Sequence, residues 1–539
     1  MKKPKSLGLR EPLRHQDHSR PRTRREFVAQ GFMTGAATIL GPSLLGLLAD
    51  PKMARAASNL SQDMLNAVAA CNISTGAGKI PFICFDLAGG GNIAGSNVLV
   101  GGPKGQLDFL SVAGYSKLGL PGTMVPNPSA SGNFIDSSFG LRFHADSAHL
   151  RGIKARATSA SVMANTTGTV IPALSQNDTN VNPHNPMYGV YSFGARGGLL
   201  DLIGSVSSIS GGNSMAPPNW IIPSAAPVKI SSSNDSKGLV STGQLSTLLP
   251  NPVDVTNVME SMKRISDAKY ATVQAYQDTA SNTAVLGPAG TQACGYTKAA
   301  YIVDKYNSPS AVNPDVDPNI VGGIFTAAEY QSNSDYQKTA AVMKLVIDGN
   351  AAAGTIEMDG FDYHTGDRAT GEARDFNVGN CIGACLQYAA LVKKPVMIYV
   401  FSDGSLASNG MIDNSAGGRG KGVWTGDNQN VAATYFLVYN PAGRPASAQS
   451  NPELSLQMGS FNPDGSLNTN GSPAANNVFQ LAQLVVLNYM ALHSSGAAAA
   501  FPSLYPPSAL ANTLGSGSAL DSLIAYQPLP GLTNGTVTG

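Results

Sequence analysis

The densest run of groups able to do chemistry is Glu357-Met358-Asp359-Gly360-Phe361-Asp362-Tyr363-His364, with Asp367 just beyond. It packs hard carboxylates and an imidazole into eight residues. Asp362 and His364 stand two apart, so on an extended chain they point the same way. Mixed oxygen and nitrogen ligands suit zinc, manganese or iron. The plain alternative is an exposed polar loop with hydrogen-bonded carboxylates.

Three weaker constellations accompany it. Asp403, in Ser402-Asp403-Gly404-Ser405, follows an apolar run and reads as a metal ligand or a helix cap. Ser175-Gln176-Asn177-Asp178-Thr179-Asn180 precedes His184. There Asp178 and His184 are further candidate ligands, and Ser175 or Thr179 a candidate nucleophile. The segment Asp413–Gly422 is rich in glycine and carries Arg419 and Lys421. Its backbone N–H groups and two cations suit an anion, with Asn92 added from an earlier loop, although a simple flexible loop fits the same residues. Lys421 is followed by glycine, so the phosphate-loop pattern is not met. His144 and His149 read as structural, and His493 as a cap or core histidine or a third metal ligand.

These residues need elements to hold them. Residues 80–88 and 394–401 are continuous apolar runs, each ending in a glycine-bearing loop. Such runs read as strands buried on both faces. Helical spacing marks 146–155, 255–277, 336–349, 373–392 and 475–494. Buried strands alternating with helices predict an α/β fold with a mostly parallel sheet flanked by helices. Ligands then bind beyond the carboxyl ends of the strands, where Asn92 and Asp403 fall. Residues 57–499 are expected to form one such domain. Ser-, Gly-, Pro- and Asn-rich insertions fall near 205–250 and 440–475, and 500–539 reads as a loosely packed tail.

The first 56 residues read as an address. A basic stretch ends in Arg24-Arg25-Glu26-Phe27-Val28, an apolar stretch follows, and Ala54-Arg55-Ala56 offers a small-residue cleavage site. That order reads as a bacterial export signal cleaved after Ala56, the arginine pair resembles the twin-arginine type, and a membrane anchor is the plain alternative. The translocase of that route is therefore an expected partner, and the periplasm or beyond the expected location. Of 539 residues, 13% are charged and the formal net charge is +1, which argues against a nucleic-acid binder. Five cysteines (71, 84, 294, 381 and 385) leave at least one unpaired; small buried side chains or a disulfide through Cys71 or Cys294 both remain open.

Four of these stretches, in this order, resemble a bacterial family of twin-arginine-exported proteins of unknown function, remotely similar to the alkaline phosphatase and sulfatase superfamily. They are the strand 80–88 into Gly89-Gly90-Gly91-Asn92; Leu141–His144 through His149 to Ser175–Thr179; Phe361-Asp362-Tyr363-His364; and the strand into Ser402–Ser405, followed by Asn414 and the glycine loop. The resemblance covers about residues 80–430. It implies an alkaline phosphatase-like fold and a metal-dependent hydrolase of phosphate or sulfate esters. Asp362 and His364 match a ligand pair, and Asp403 an acidic strand-end position. Three departures stand out. Asn92 replaces an expected Asp, Gly404 stands where a His is frequent, and Gly418–Gly422 replaces an Asp-His-Gly segment. They imply a reduced site for one divalent cation at most, or a non-catalytic relative that binds an anionic small molecule or an envelope protein.

Overall fold

The computed structural model describes residues 60–537 except 72, 74, 75, 77, 128–132, 176–184, 207–225, 242–247, 250, 275–290, 307, 365, 506–513, 534 and 535. The proposed export segment therefore lies outside the described residues, as do Asp178, Thr179 and His184. The chain divides into two compact units, not the one domain expected from sequence. The smaller unit combines residues 60–71 with 240–309. It contains helices Gln62–Ala70, Pro252–Gln274 and Thr291–Tyr306. A Cys71–Cys294 disulfide joins the first to the last, with Cα atoms 5.4 Å apart. Cys84, Cys381 and Cys385 are buried thiols.

The larger unit is built on strands β1 (Phe82–Leu87), β2 (Ile135–Phe139), β3 (Leu141–His144), β4 (Thr166–Pro172), β5 (Leu200–Gly204), β6 (Val228–Lys229), β7 (Ala351–Met358), β8 (Val396–Ser402), β9 (Leu406–Asp413), β10 (Lys421–Asp427) and β11 (Ala433–Tyr439). Seven of them form one sheet in the order β4-β11-β8-β1-β7-β5-β6. β1 sits at its centre, parallel to β7 on one side and β8 on the other. Only β11 runs against its neighbours, β8 and β4. The apolar runs at 80–88 and 394–401 are thus the strands β1 and β8, and the fold is α/β.

Four helices of this unit matter for the site: α1 (Ala148–Arg156), α2 (Ser334–Ile347), α3 (Ala369–Leu391) and α4 (Val478–Ala491). Strand alternation sorts the core. Phe82, Cys84, Met397, Tyr399 and Phe436 face α4 in one cluster. Gly354 and Ile203 face the other way, where a Cβ on Gly354 would lie 2.7 Å from Val342 of α2. Both faces of the sheet are therefore covered, which suits strands without polar alternation. Among the described residues no helix is long and apolar enough to cross a membrane.

The expected loose tail is a correction. Leu514, Leu520, Leu523, Ile524, Tyr526 and Leu529 are buried in the cluster with α4. Asn488 of α4 clasps the segment, accepting from Ala525 N–H at 2.8 Å and donating to Leu523 O at 2.9 Å. Residues 440–475 are also built in: Gln457 bonds both N–H and C=O of Gly101, and Met458 N–H donates to Val170 O beside edge strand β4.

α1 and α3 meet backbone to backbone. A Cβ on Gly379 would overlap the carbonyl oxygen of His149, one on Gly152 the carbonyl oxygen of Phe376, and one on Gly383 would sit 2.5 Å from Ile153 O. Gly379→Ala should therefore cost about 2–3 kcal/mol in denaturant unfolding, because backbone must move. Gly238→Ala, with open space around its Cβ, should stay within about 0.5 kcal/mol. Equal effects would contradict the close crossing.

His493 accepts from Ile80 N–H at 3.0 Å and bonds Tyr489 O at 2.8 Å, so its ring is held neutral. Burial depresses it to about 3, and burial likewise takes His144 to about 4. Between those values and the ordinary histidine range near 6.5, the unfolded chain binds more protons than the native one. Stability is then full above about pH 6.5 and falls with decreasing pH, by about 1.4 kcal/mol per pH unit for each histidine. Melting curves from pH 7.5 to pH 5 should show this loss, and His493→Gln should flatten it.

Candidate functional site

The loops leaving β1, β7 and β8 are stitched together at the carboxyl ends of the central strands. Ala88 N–H donates to Met358 O at 3.0 Å, and Phe361 N–H to Ala88 O at 3.1 Å. Ser402 Oγ donates to Leu87 O at 2.6 Å and accepts from Gly91 N–H at 2.8 Å. Asp403 Oδ1 accepts from Gly89 N–H at 2.6 Å. Gly89 has φ +114°, and a Cβ there would lie 2.7 Å from Asp362 N, so only glycine fits. Asp403 is thus a buried clamp on the first loop and stands apart from the cluster described next.

That cluster is Asp362, His364 and Asp427. Each offers one ligand atom, and the three atoms lie within 4.8 Å of one another. His364 Nε2 is 2.7 Å from Asp362 Oδ1 and 4.0 Å from Asp427 Oδ1. Their side chains are 54%, 41% and 49% exposed for Asp362, His364 and Asp427 respectively. Asp427 closes β10, opposite Leu406 of β9, in a hairpin with two register shifts. The loop before α3 runs along that hairpin: Gly366 N–H donates to Trp424 O and Trp424 N–H to Asp367 O, both at 3.3 Å. Asp367 itself is used at the start of α3, where it accepts from Thr370 N–H at 2.8 Å.

A buried polar network lies beneath. Tyr363 OH donates to Asp375 Oδ1 at 3.0 Å and accepts from Asn92 N–H at 2.9 Å. Asn97 Nδ2 donates to Asp375 Oδ2 at 2.7 Å, and Asn97 Oδ1 accepts from Ser147 Oγ and His149 N–H. His149 Nδ1 meets Tyr435 OH at 3.1 Å. Asn92 spends its amide on Leu406 O and Ser96 Oγ, not on an open anion cradle. Ser175 is buried and its Oγ donates to Ser402 O at 2.8 Å. Nearby, burial and then Asp359 raise Glu357 to about 7.

The cations of the glycine loop are also committed. Arg419, at φ +58°, grips Asp146 through Nε at 2.9 Å and Nη2 at 2.5 Å. Lys421, 0% exposed, donates to Glu372 Oε1 at 2.8 Å and lies 3.3 Å from Asp146 Oδ2. Glu372 also accepts from Arg151 Nη2 and from Arg368 Nε and Nη2. The Arg368 guanidinium stacks 4.4 Å over the Trp424 ring. Burial lowers Lys421, partly opposed by Glu372. Burial would raise Glu372, but Arg368 and Lys421 outweigh it and hold the carboxyl below its usual range. The expected cradle is therefore an ion-pair ring. Its partners Asp146 and Glu372, like Asp427, Asn97 and Asp375, escaped the sequence reading because they come from distant segments.

Lys421→Met would take the buried ammonium from buried Glu372 and part-buried Asp146 and should cost about 3 kcal/mol or more. Arg419→Ala, on a half-exposed side chain, should cost less than about 1 kcal/mol. Denaturant melts of both variants check this, and a Lys421→Met protein as stable as wild type would count against the ring. Comparison with known protein-family models and with curated proteins finds no match for this chain.

Proposed function

We propose that this protein is an exported alkaline phosphatase/sulfatase-like hydrolase of phosphate or sulfate esters, working with one divalent cation. The observation that carries the reading is the meeting of Asp362, His364 and Asp427 at the carboxyl end of the central strands. One imidazole nitrogen and two carboxylate oxygens supply three protein ligands, the number that leaves a position open for water or substrate in catalytic metal sites. Their oxygen and nitrogen character suits zinc, manganese or iron. A cation held there would polarise an ester oxygen as a Lewis acid. Asp362, His364 and Asp427 would hold it, and their exposure leaves room for an ester on the solvent side. Asp403, Ser402 and the glycines keep the loops in place.

Export to the periplasm or beyond by the twin-arginine translocase fits the Cys71–Cys294 disulfide, since such bonds persist in oxidising compartments. A second reading, a non-catalytic relative with a binding or envelope-assembly role, is favoured by a different observation. Asp403, Asn92, Arg419, Lys421 and Ser175 all spend polar atoms on internal contacts.

The two readings separate by metal content. Mature protein purified without chelator should carry near-stoichiometric zinc, manganese or iron by elemental analysis. The Asp362→Ala/His364→Ala double variant should lose it. Hydrolysis of p-nitrophenyl phosphate or sulfate should then fall with the metal. A folded, metal-free wild type that takes up none of the three on addition would overturn the hydrolase.

A further inference from the structure

We propose that Tyr363 and Asp375 are positioning residues for the Asp362/His364/Asp427 site, an inference that rests on the metal reading above. The segment 361–364 alternates strictly. Phe361 and Tyr363 are each 1% exposed, while Asp362 and His364 between and after them face solvent. Two anchors hold the inward residues. A Cβ on Gly91 would lie 3.0 Å from the Phe361 ring, and one on Gly371 of α3 would lie 2.9 Å from the Tyr363 ring. Glycine at both places lets the rings seat against backbone.

Apolar packing alone would bury Tyr363 as well as a phenylalanine. The hydroxyl adds direction. It is held between Asn92 N–H and Asp375 Oδ1, and Asp375 is itself 1% exposed and fixed by Asn97. The loops after β1 and β7 and helix α3 thereby converge on one tyrosine oxygen. Burying a carboxylate is costly unless its bonds are satisfied, and Asp375 meets that condition through Tyr363 and Asn97. The geometry fixed here is the backbone on either side of Tyr363, which carries two of the three ligand side chains. Partners behind a metal ligand commonly set affinity by tenfold to a hundredfold.

Co²⁺ is the probe, because its visible bands report both occupancy and geometry. Wild-type mature protein should bind it, and Asp362→Ala should not. Tyr363→Phe should weaken Co²⁺ binding about tenfold or more and alter the bands, in a protein that circular dichroism shows to be folded. Asp375→Asn keeps the side-chain shape, should act in the same direction, and replaces Tyr363→Phe if that variant does not fold. A purely structural role would lower the melting temperature of the metal-free protein and leave Co²⁺ affinity and bands unchanged. That result overturns the inference alone. No Co²⁺ uptake by wild type overturns the metal reading and the inference together.

Discussion

Gly152, Gly379 and Gly383 let α1 and α3 touch through their backbones, and the polar networks beneath the candidate site depend on that approach. With side chains at those positions the helices would separate by the width of a methyl group or more. Asn97, bonded to Asp375 of α3 and to Ser147 and His149 at the start of α1, would then lose one partner or the other. The same crossing sets Arg151 of α1 beside Glu372 of α3, the joint of the ion-pair ring. Small residues here act as a spacing constraint on two polar networks rather than as sources of flexibility.

The chain is poor in charge overall yet places several of its charges in the interior. Asp375, Glu372, Arg368 and Lys421 are all buried within or around α3. Such groups add little net stability compared with apolar packing, because desolvation offsets most of the attraction. What they add is intolerance of misplacement. A half-formed network leaves a buried charge bare, so the loop, hairpin and helix that meet there are accepted only in register. Arg368 shows the coupling, since its side chain bonds Glu372, stacks on Trp424 and reaches Gly422 O on the hairpin.

The sheet and its loops were legible in the sequence because their signals are local. Apolar runs at 80–88 and 394–401 became β1 and β8, and the helix expected at 373–392 is α3. Asp362 and His364 were legible for the same reason, two residues apart on an extended segment. Asp427 was not. It reaches them through a bulged hairpin whose register no local pattern encodes. Arg419 and Lys421 were recognisable as cations, but their acceptors lie far away in sequence, so a committed ion pair looked like a free anion site. The tail misled through composition: sparse buried residues among Ser, Gly and Pro carry the packing, and their partner is α4. The helical unit was missed because its two parts are separated by more than a hundred residues and joined by a disulfide that spacing left open.

Exposure is what gives the proposed site its character. Half-exposed carboxylates and imidazole keep much of their hydration, so a cation arriving there would meet ligands that are cheap to desolvate, once Asp362 and His364 give up their contact with each other. The main cost of binding is then the ordering of side chains and of the chain that carries them. Burying Phe361 and Tyr363 removes the backbone part of that cost during folding, leaving only side-chain rotations of Asp362 and His364 to be restricted. Asp427 arrives from a paired strand, and so is ordered as well. The buried tyrosine–carboxylate bond and the exposed triad are in this sense one device: rigidity is placed on the inward residues, so that the outward ones can stay wet and reachable.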